Sequence, residues 1–266
     1  MPTPEISVQL YSIHEELEAD LDGSLGKLAE TGLTTVEAFD FVRRADALKT
    51  SFDRYGLRSP TAHAVLIEKE AKTPDGLLTR PPAEEVFAAA QQLGVQVVID
   101  PYVPLDHWQT LEDVQRNADR LNEAAVKAAD LGLKVGYHNH DHELSATIDG
   151  TPVLEVFAGL LDPAVVLEVD LYWATAGGVD PVGLLGRLGD RVVAVHVKDG
   201  PITQGRSSRQ MPRDQQPAGR GDVPLAAALE TAKSAEYAVI EFDHYEGDTF
   251  AGIAESYAFL RSHLGS

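Results

Sequence analysis

Cysteine is absent from the 266-residue chain, and basic residues are scarce. The absence of cysteine excludes disulfide bonds, thiolate nucleophiles and cysteine-ligated zinc sites. Lysine and arginine together number 22 against 42 aspartates and glutamates, which gives a formal net charge of −20. A chain this acidic repels phosphate backbones, whereas nucleic-acid-binding proteins usually carry a basic surface. We therefore expect no nucleic-acid partner.

Long hydrophobic runs are also missing. The sequence has no apolar run of ~18 residues, the length that a transmembrane helix requires, so we expect no membrane partner. The first residues, MPTPEISVQL, lack the basic stretch and the apolar core of a secretory signal, which predicts a cytoplasmic location. An α/β barrel commonly takes about 250 residues. We therefore expect residues 1–266 to form a single domain.

Strand-like and helix-like segments alternate along the whole chain. The clearest helix is expected at 111–131, where apolar residues recur with helical spacing. Gly32, Gly94 and Gly132 follow helix-like segments and are typical of helix ends in the left-handed conformation. Eight such units, without a glycine-rich nucleotide-binding motif after the first, predict a closed (β/α)8 TIM barrel rather than a doubly wound sheet. The predicted strands are 6–12, 34–39, 59–64, 95–101, 134–140, 165–171, 192–199 and 237–243.

Two predicted connections are longer than a barrel requires, namely 64–81 and 200–221. Long loops in compact domains tend to be lids or binding loops, or else mobile excursions into solvent. The second connection is rich in arginine, including Arg206. We therefore consider two roles for it, a solvated loop and a lid over an anionic or polyhydroxyl ligand.

Four predicted strands end in ionisable residues at alternating positions, with apolar residues between them. Alternate side chains of a strand share one face. A barrel strand packs its apolar face on the helices, and its C-terminal end carries the chemistry. The ionisable residues expected on the inner face are His138 and His140, Glu168 and Asp170, His196 and Lys198, and Glu241 and Asp243.

Asp170, His196 and Glu241 form a candidate metal site at this mouth. Two carboxylates and an imidazole suit Mn²⁺, Mg²⁺, Co²⁺ or Zn²⁺. A fourth ligand is expected from the fifth strand or its loop, where we favour Glu143 over His138. Buried carboxylates require a cation, because desolvating them otherwise costs several kcal/mol each. Lys198 is the alternative cation, which leaves a metal-free network of ion pairs as the competing interpretation.

Other residues are candidates for contact with a substrate. Glu37 ends the second strand and acts as a base, binds substrate hydroxyls, or forms a salt bridge facing the helices. His63 ends the third strand and either contacts substrate or is a hydrogen-bonded core residue. Lys198 either orients a ligand oxygen or pairs with Glu168.

Further candidates lie on the last strands and in the second long connection. Asp243 is expected to support His196 or a neighbouring base, beside a bound substrate. Trp173 and Tyr172 are candidates for an apolar wall against a sugar ring, with core packing as the alternative for at least one of them. In the second long connection, Arg206 is the candidate for contact with a substrate.

Several motifs spread over most of the chain resemble one superfamily. They are VQLYS (8–12), YHNHDHE (137–143), LEVDLYWA (167–174), HVKDG (196–200), GRGDVPL (219–225) and VIEFD (239–243). In combination they resemble the sugar phosphate isomerase/epimerase superfamily, the xylose isomerase-like TIM barrels, which include inosose dehydratases and ketose 3-epimerases. The motifs are specific for the superfamily and not for a substrate.

The resemblance implies one divalent metal ion held by Glu, Asp, His and Glu from strands five to eight. Asp170, His196 and Glu241 match the last three positions. The chain departs from the epimerases at the first position, where it has His138. Either His138 replaces that glutamate, or Glu143 reaches back to the metal.

The resemblance also implies an isomerase or epimerase that acts on a sugar or cyclitol ketone through an enediolate, with His138 and His140 as candidate bases. An inosose dehydratase or a 3-keto-glycoside lyase shares the first half of that reaction. A hydrolase resembling endonuclease IV is disfavoured by the acidic charge. A sugar-binding barrel without metal or catalysis is the alternative from another class. The lack of a glycine-rich phosphate cradle favours an unphosphorylated substrate, and a homo-oligomer is common on this scaffold.

Overall fold

Eight parallel strands form one sheet in the computed structural model, which describes residues 3–73, 76–203, 205–210 and 212–265. Strands are numbered along the chain, and the sheet order is β1-β12-β11-β10-β7-β6-β3-β2. Two short antiparallel hairpins, β4–β5 and β8–β9, lie outside the sheet. The strands are β1 (Glu5–Val8), β2 (Thr35–Phe39), β3 (Arg58–His63), β4 (Glu70–Thr73), β5 (Gly76–Thr79), β6 (Val97–Asp100), β7 (Lys134–His138), β8 (Thr147–Ile148), β9 (Thr151–Pro152), β10 (Val166–Asp170), β11 (Val192–Val197) and β12 (Tyr237–Ile240).

The sheet closes where its first and last strands meet. Gln9, just after β1, forms a parallel bridge with Glu37 of β2. The Gln9 side-chain amide also donates to Glu37 Oε1 at 2.7 Å. The order of the strands, their parallel pairing and this closure confirm the predicted (β/α)8 barrel.

Helices cover the outside of the barrel. The predicted helix at 111–131 is α5, which begins with a capping box between Thr110 and Asp113 and ends before Gly132, whose φ of 74° is left-handed. Among the described residues, no helix is long and apolar enough to cross a membrane. The helices are α1 (His14–Ala19), α2 (Leu21–Glu30), α3 (Ala45–Tyr55), α4 (Ala83–Leu93), α5 (Leu111–Ala129), α6 (His142–Ser145), α7 (Val153–Leu160), α8 (Leu171–Ala176), α9 (Pro181–Leu188), α10 (Leu225–Thr231) and α11 (Thr249–Leu264).

The second strand ends at Phe39 as predicted, but the other strands of the barrel end before the predicted residue. The first predicted strand, 6–12, is wrong beyond Val8, because a 3₁₀ helix occupies Leu10–Ile13. His140, Lys198 and Glu241 likewise follow the last paired residues of β7, β11 and β12. These side chains therefore lie on the loops at the barrel mouth, where the backbone turns away from the sheet.

Apolar residues fill two separate regions. The strand residues predicted to face the helices do belong to the outer core, and they are Val135, Tyr137, Val169, Leu171, Val195, Val197, Ile240 and Phe242. A second cluster closes the lower interior of the barrel and comprises Val97, Ile99, Val166, Val193, Ala194, Tyr237 and Val239. The ionisable residues of the two groups described below lie above this cluster, towards the C-terminal ends of the strands.

The second long connection is anchored by a buried carboxylate. Asp199 Oδ1 accepts hydrogen bonds from the backbone N–H groups of Gly200 and Val223, and Oδ2 accepts from Gly219 and Gly221. A Cβ at position 221 would lie 2.2 Å from Asp199 Oδ1, so only glycine fits there. Both ends of the loop are thus fixed beside Lys198.

Candidate active site

Four side chains at the barrel mouth, which we call the mouth group, place ligand atoms within 4.8 Å of one another. They are His138, Asp170, His196 and Glu241, and all four are buried. The strand register explains their proximity, because Asp170 of β10 pairs with His196 of β11 and Glu168 of β10 pairs with His138 of β7. Glu241 follows β12, the neighbour of β11. Four consecutive strands of the sheet therefore supply the group.

Asp170 has one oxygen committed to the fold and one that is available. Its Oδ1 caps helix α8 by accepting from the Trp173 backbone N–H at 2.8 Å. Its Oδ2 lies 3.7 Å from His138 Nε2 and 2.9 Å from Lys198 Nζ. The Lys198 contact is an ion pair without hydrogen-bond geometry, so Oδ2 accepts no hydrogen bond from the described residues. Burial raises the Asp170 pKa to about 6, against the opposing charge of Lys198.

Lys198 is buried among three carboxylates. Its Nζ lies 2.9 Å from Asp170 Oδ2, 2.7 Å from Glu241 Oε2 and 2.9 Å from Asp243 Oδ1. Although burial opposes its charge, these carboxylates raise the Lys198 pKa well above its usual value. The predicted pairing with Glu168 is wrong, because the ammonium reaches the carboxylates one layer nearer the mouth. Lys198 is thus a permanent cation beside the mouth group.

We predict that Lys198→Met destabilises the metal-free protein by ~3–5 kcal/mol, because it leaves buried carboxylates without their counter-charge. Urea unfolding in the presence of a chelator measures this loss. Lys127→Met is the matched control, since Lys127 forms an exposed ion pair with Glu84 and its removal should change stability little. Equal unfolding midpoints for Lys198→Met and wild type would contradict the assigned charge balance.

A second cluster, the inner group, lies one layer deeper and comprises Glu37, His63 and Glu168. His63 Nε2 is 2.6 Å from Glu168 Oε2 and 3.0 Å from Glu37 Oε1. His196 Nε2 contacts the same two oxygens at 3.0 and 2.8 Å. Burial opposes the His63 charge, but Glu37 and Glu168 raise its pKa to about 10.

These contacts bear on two residues that were candidates for substrate contact. Glu37 points into the barrel and forms no helix-facing salt bridge with the described residues, so that alternative is wrong. His63 has both carboxylates as partners, in agreement with a hydrogen-bonded core histidine. The inner group therefore lies beneath the mouth group and supports it.

Glu143, the favoured fourth ligand, is not brought to the mouth group. Its Oε1 accepts from the Tyr137 hydroxyl at 2.5 Å, and its Oε2 accepts from the His140 backbone N–H at 2.9 Å. Tyr137 faces the outer core, so the short helix α6 turns Glu143 away from the barrel axis. His138, the alternative, completes the mouth group in its place.

His140 and Trp173 lie beside the mouth group. The His140 ring centroid is 5.2 Å from that of His138 and 6.1 Å from that of Trp173. Burial and the charge of Lys198 lower the His140 pKa well below its usual value, so the ring is neutral at pH 7. His140 Nδ1 and Trp173 Nε1 have no hydrogen-bond partner in the part of the chain that the structure describes. Both groups therefore retain hydrogen-bonding capacity for a ligand.

Asp243 and Arg206 have partners that the sequence did not suggest. Asp243 supports Lys198 instead of His196, and its Oδ2 accepts from the Gln215 side-chain amide at 2.9 Å. Arg206 forms a two-fold ion pair with Asp214, at 2.6 and 2.8 Å, and donates to the Tyr172 hydroxyl. The loop therefore neutralises its own arginine, and Tyr172 contacts the loop.

Glu168 is the central residue that sequence analysis did not assign to the site. It lies two positions before Asp170 in the LEVD segment and was expected on the same inner face. That alternation was the available signal. Its contacts with three histidines depend on three other strands, which the local pattern does not encode.

The mouth group fits a divalent metal ion by its donor set. Two imidazoles and two carboxylates are ligands that Mn²⁺, Co²⁺ and Zn²⁺ accept. Asp170 Oδ2 is a buried carboxylate oxygen that lacks a hydrogen bond from any described residue, which is a group that a cation would satisfy.

The fold and this site define a parallel (β/α)8 barrel with a buried histidine–carboxylate group at its C-terminal mouth. The chain belongs to the xylose isomerase-like TIM barrel family, whose model matches residues 25–263. This membership confirms the family that the sequence motifs indicate.

Individual relatives extend the comparison. An inosose dehydratase of Geobacillus kaustophilus is 29% identical over 192 residues, which cover 67% of this chain and 61% of that protein. A sugar phosphate isomerase/epimerase structure from Parabacteroides distasonis shares 21% identity, with a TM-score of 0.77 over 98% of this chain and 95% of that one. The structure of the IolI protein with a bound zinc atom shares 15% identity, with a TM-score of 0.73 over 98% of both chains. At these identities the two structures show a common fold.

Proposed function

We propose that the protein is a divalent-metal-dependent enzyme that isomerises or epimerises an uncharged sugar or cyclitol ketone by removing the proton next to the carbonyl. The mouth group carries this proposal, because it combines four metal-type donors with a neutral histidine at its edge. The zinc atom in the IolI structure and the inosose dehydratase relative support it.

His138, Asp170, His196 and Glu241 would hold the ion. When bound, a divalent ion supplies Lewis-acid polarisation of the substrate carbonyl. Lys198 keeps Asp170 and Glu241 ionised and oriented through its ion pairs with both carboxylates. The residues at the strand ends thereby position a substrate carbonyl above the inner group.

His140 is the proposed base. Its Nδ1 lacks a hydrogen-bond partner among the described residues and accepts the proton from the carbon next to the carbonyl. Return of this proton to the neighbouring carbon isomerises the sugar, and return to the opposite face requires a second acid. Trp173, which is fully buried beside His140, excludes water from this face.

A dehydratase is the second candidate function, since an inosose dehydratase is 29% identical to this chain over 192 residues. Proton removal at the same carbon, followed by departure of a β-hydroxyl as water, yields an unsaturated ketone. A 3-keto-glycoside lyase expels a glycosidic oxygen in the same way. The three reactions share their first step and differ in the leaving group.

Solvent exchange tests the shared first step. The protein is incubated in D₂O with Mn²⁺ or Zn²⁺ and a panel of ketohexoses and inososes, and the C–H signal next to the carbonyl is followed by proton NMR. We expect exchange with at least one free ketone, none after chelation, and less with the corresponding phosphates. Loss of one water in the product mass identifies a dehydratase. A metal-loaded protein that binds ketones but exchanges none would favour the non-catalytic binding barrel.

A further inference from the structure

We propose that Glu168 is a positioning residue that orients the rings of His138 and His196, so that each ring keeps its proton on the nitrogen facing Glu168 and turns its other nitrogen to the metal ion. The inference rests on the proposed function and names a residue outside the ligand set. Glu168 acts on the mouth group through its contacts with these two histidines.

One carboxylate oxygen of Glu168 lies close to a ring nitrogen of each of three histidines. Oε2 lies 2.6 Å from His63 Nε2, 3.0 Å from His138 Nδ1 and 3.0 Å from His196 Nε2. The side chain is fully buried, and its Oε1 has no hydrogen-bond partner within the described ranges. All three contacts therefore converge on a single buried acceptor.

The tautomers follow from the chemistry of these contacts. An ionised carboxylate can only accept hydrogen bonds, so each ring nitrogen that faces Glu168 carries a proton. A neutral imidazole has one N–H, so the opposite nitrogen of His138, Nε2, is bare. His196 Nδ1 lies 2.6 Å from Glu241 Oε2 and donates to it in the metal-free protein, so this nitrogen has to lose its proton before it can bind a metal ion.

The two nitrogens that point away from Glu168 face the remaining members of the mouth group. His138 Nε2 lies 3.7 Å from Asp170 Oδ2, and His196 Nδ1 lies 2.6 Å from Glu241 Oε2. A hydrogen bond from a ligating histidine to a carboxylate is the common way in which proteins orient such ligands. Glu168 thus turns His138 Nε2 and His196 Nδ1 towards the place where the carboxylates converge.

The two histidines depend on Glu168 to different degrees. His196 Nε2 also contacts Glu37 Oε1 at 2.8 Å, which provides a second acceptor. For His138 Nδ1, Glu168 is the one acceptor that the described residues provide. Loss of the Glu168 charge should therefore release the His138 tautomer and leave that of His196 in place.

The test compares Glu168→Gln with Glu143→Gln, a matched change of a buried glutamate outside both groups. Zn²⁺ affinity of the metal-free proteins is measured by competition with a chromophoric chelator. We expect Glu168→Gln to weaken Zn²⁺ binding by about 10- to 100-fold, the usual effect of losing a partner of a metal-bound histidine. Glu143→Gln should bind Zn²⁺ as the wild type does.

Long-range ¹H–¹⁵N correlation spectra of the zinc-loaded proteins report the tautomers directly. In the wild type we expect His138 protonated at Nδ1 and His196 at Nε2, and in Glu168→Gln only His196 should keep its form. The opposite wild-type tautomer at His138 would overturn the proposal even if Glu168→Gln failed to fold. Unchanged affinity and tautomers in Glu168→Gln would overturn it as well.

Three further outcomes separate this inference from the proposed function. Two zinc ions per wild-type chain, reduced to one by Glu168→Gln, would make Glu168 a ligand and overturn its positioning role. A wild-type protein that binds no ion would overturn the proposed metal-dependent function together with the inference. A wild type that binds zinc and exchanges substrate, with Glu168→Gln indistinguishable from it, would overturn the inference alone.

Discussion

His196→Ala and Glu241→Gln should each lose divalent-metal binding and substrate exchange while the barrel remains folded. His196 is fully buried and contacts both groups, since Nδ1 faces Glu241 and Nε2 faces Glu37 and Glu168. Each substitution removes a direct ligand, so metal affinity should fall by more than the ~10- to 100-fold that an outer partner contributes. The apolar clusters outside and below the site are untouched. Chelator competition, circular dichroism and exchange in D₂O measure the three properties.

His142→Gln is the control for these variants. His142 is also a buried histidine at the mouth, but its Nε2 is bonded to the Val103 carbonyl and it belongs to neither group. It should keep its metal affinity. Normal exchange by His196→Ala or Glu241→Gln would contradict the assigned mouth group.

His140→Asn should reduce proton exchange by ~10²- to 10⁴-fold, the usual contribution of a positioned general base, and leave metal affinity unchanged. The reason is that His140 lies next to His138 but outside the mouth group, with its Nδ1 free of partners among the residues described. Exchange at saturating ketone and Zn²⁺ affinity are measured on the same preparation.

The combination of effects identifies the role of His140. Reduced exchange with intact metal binding supports a base. A parallel loss of metal would make His140 a ligand, and wild-type exchange would assign the proton transfer to another group. Either of these outcomes contradicts the proposed role.

The barrel was predictable because its signals are local. Alternation along each strand and glycine at helix ends such as Gly132 depend on neighbouring residues, and both recur along the chain. The same alternation placed Asp170, His196 and Glu241 on one face, and the structure brings them together with His138.

Two kinds of prediction were wrong. One concerns residues that lie just beyond the end of a strand, and the other concerns the layer of the barrel in which a side chain lies. Strand periodicity stops where the ladder stops, so the helical turn that directs Glu143 to Tyr137 was not visible in the pattern. Face parity suggested that Lys198 meets Glu168, but the stagger between strands sets the layer and places Lys198 among other carboxylates. Contacts of this kind depend on tertiary register, which no single segment encodes.

Metal content is the most direct test of the central claim that the mouth group is a divalent-metal site. The full chain is purified, loaded with Mn²⁺, Co²⁺ or Zn²⁺, and analysed for metal before and after dialysis against a chelator. We predict one ion per chain, removed by the chelator together with part of the thermal stability, and absent from His196→Ala. A wild-type chain that retains no ion under any loading condition would contradict the claim and leave Lys198 as the cation that balances the buried carboxylates.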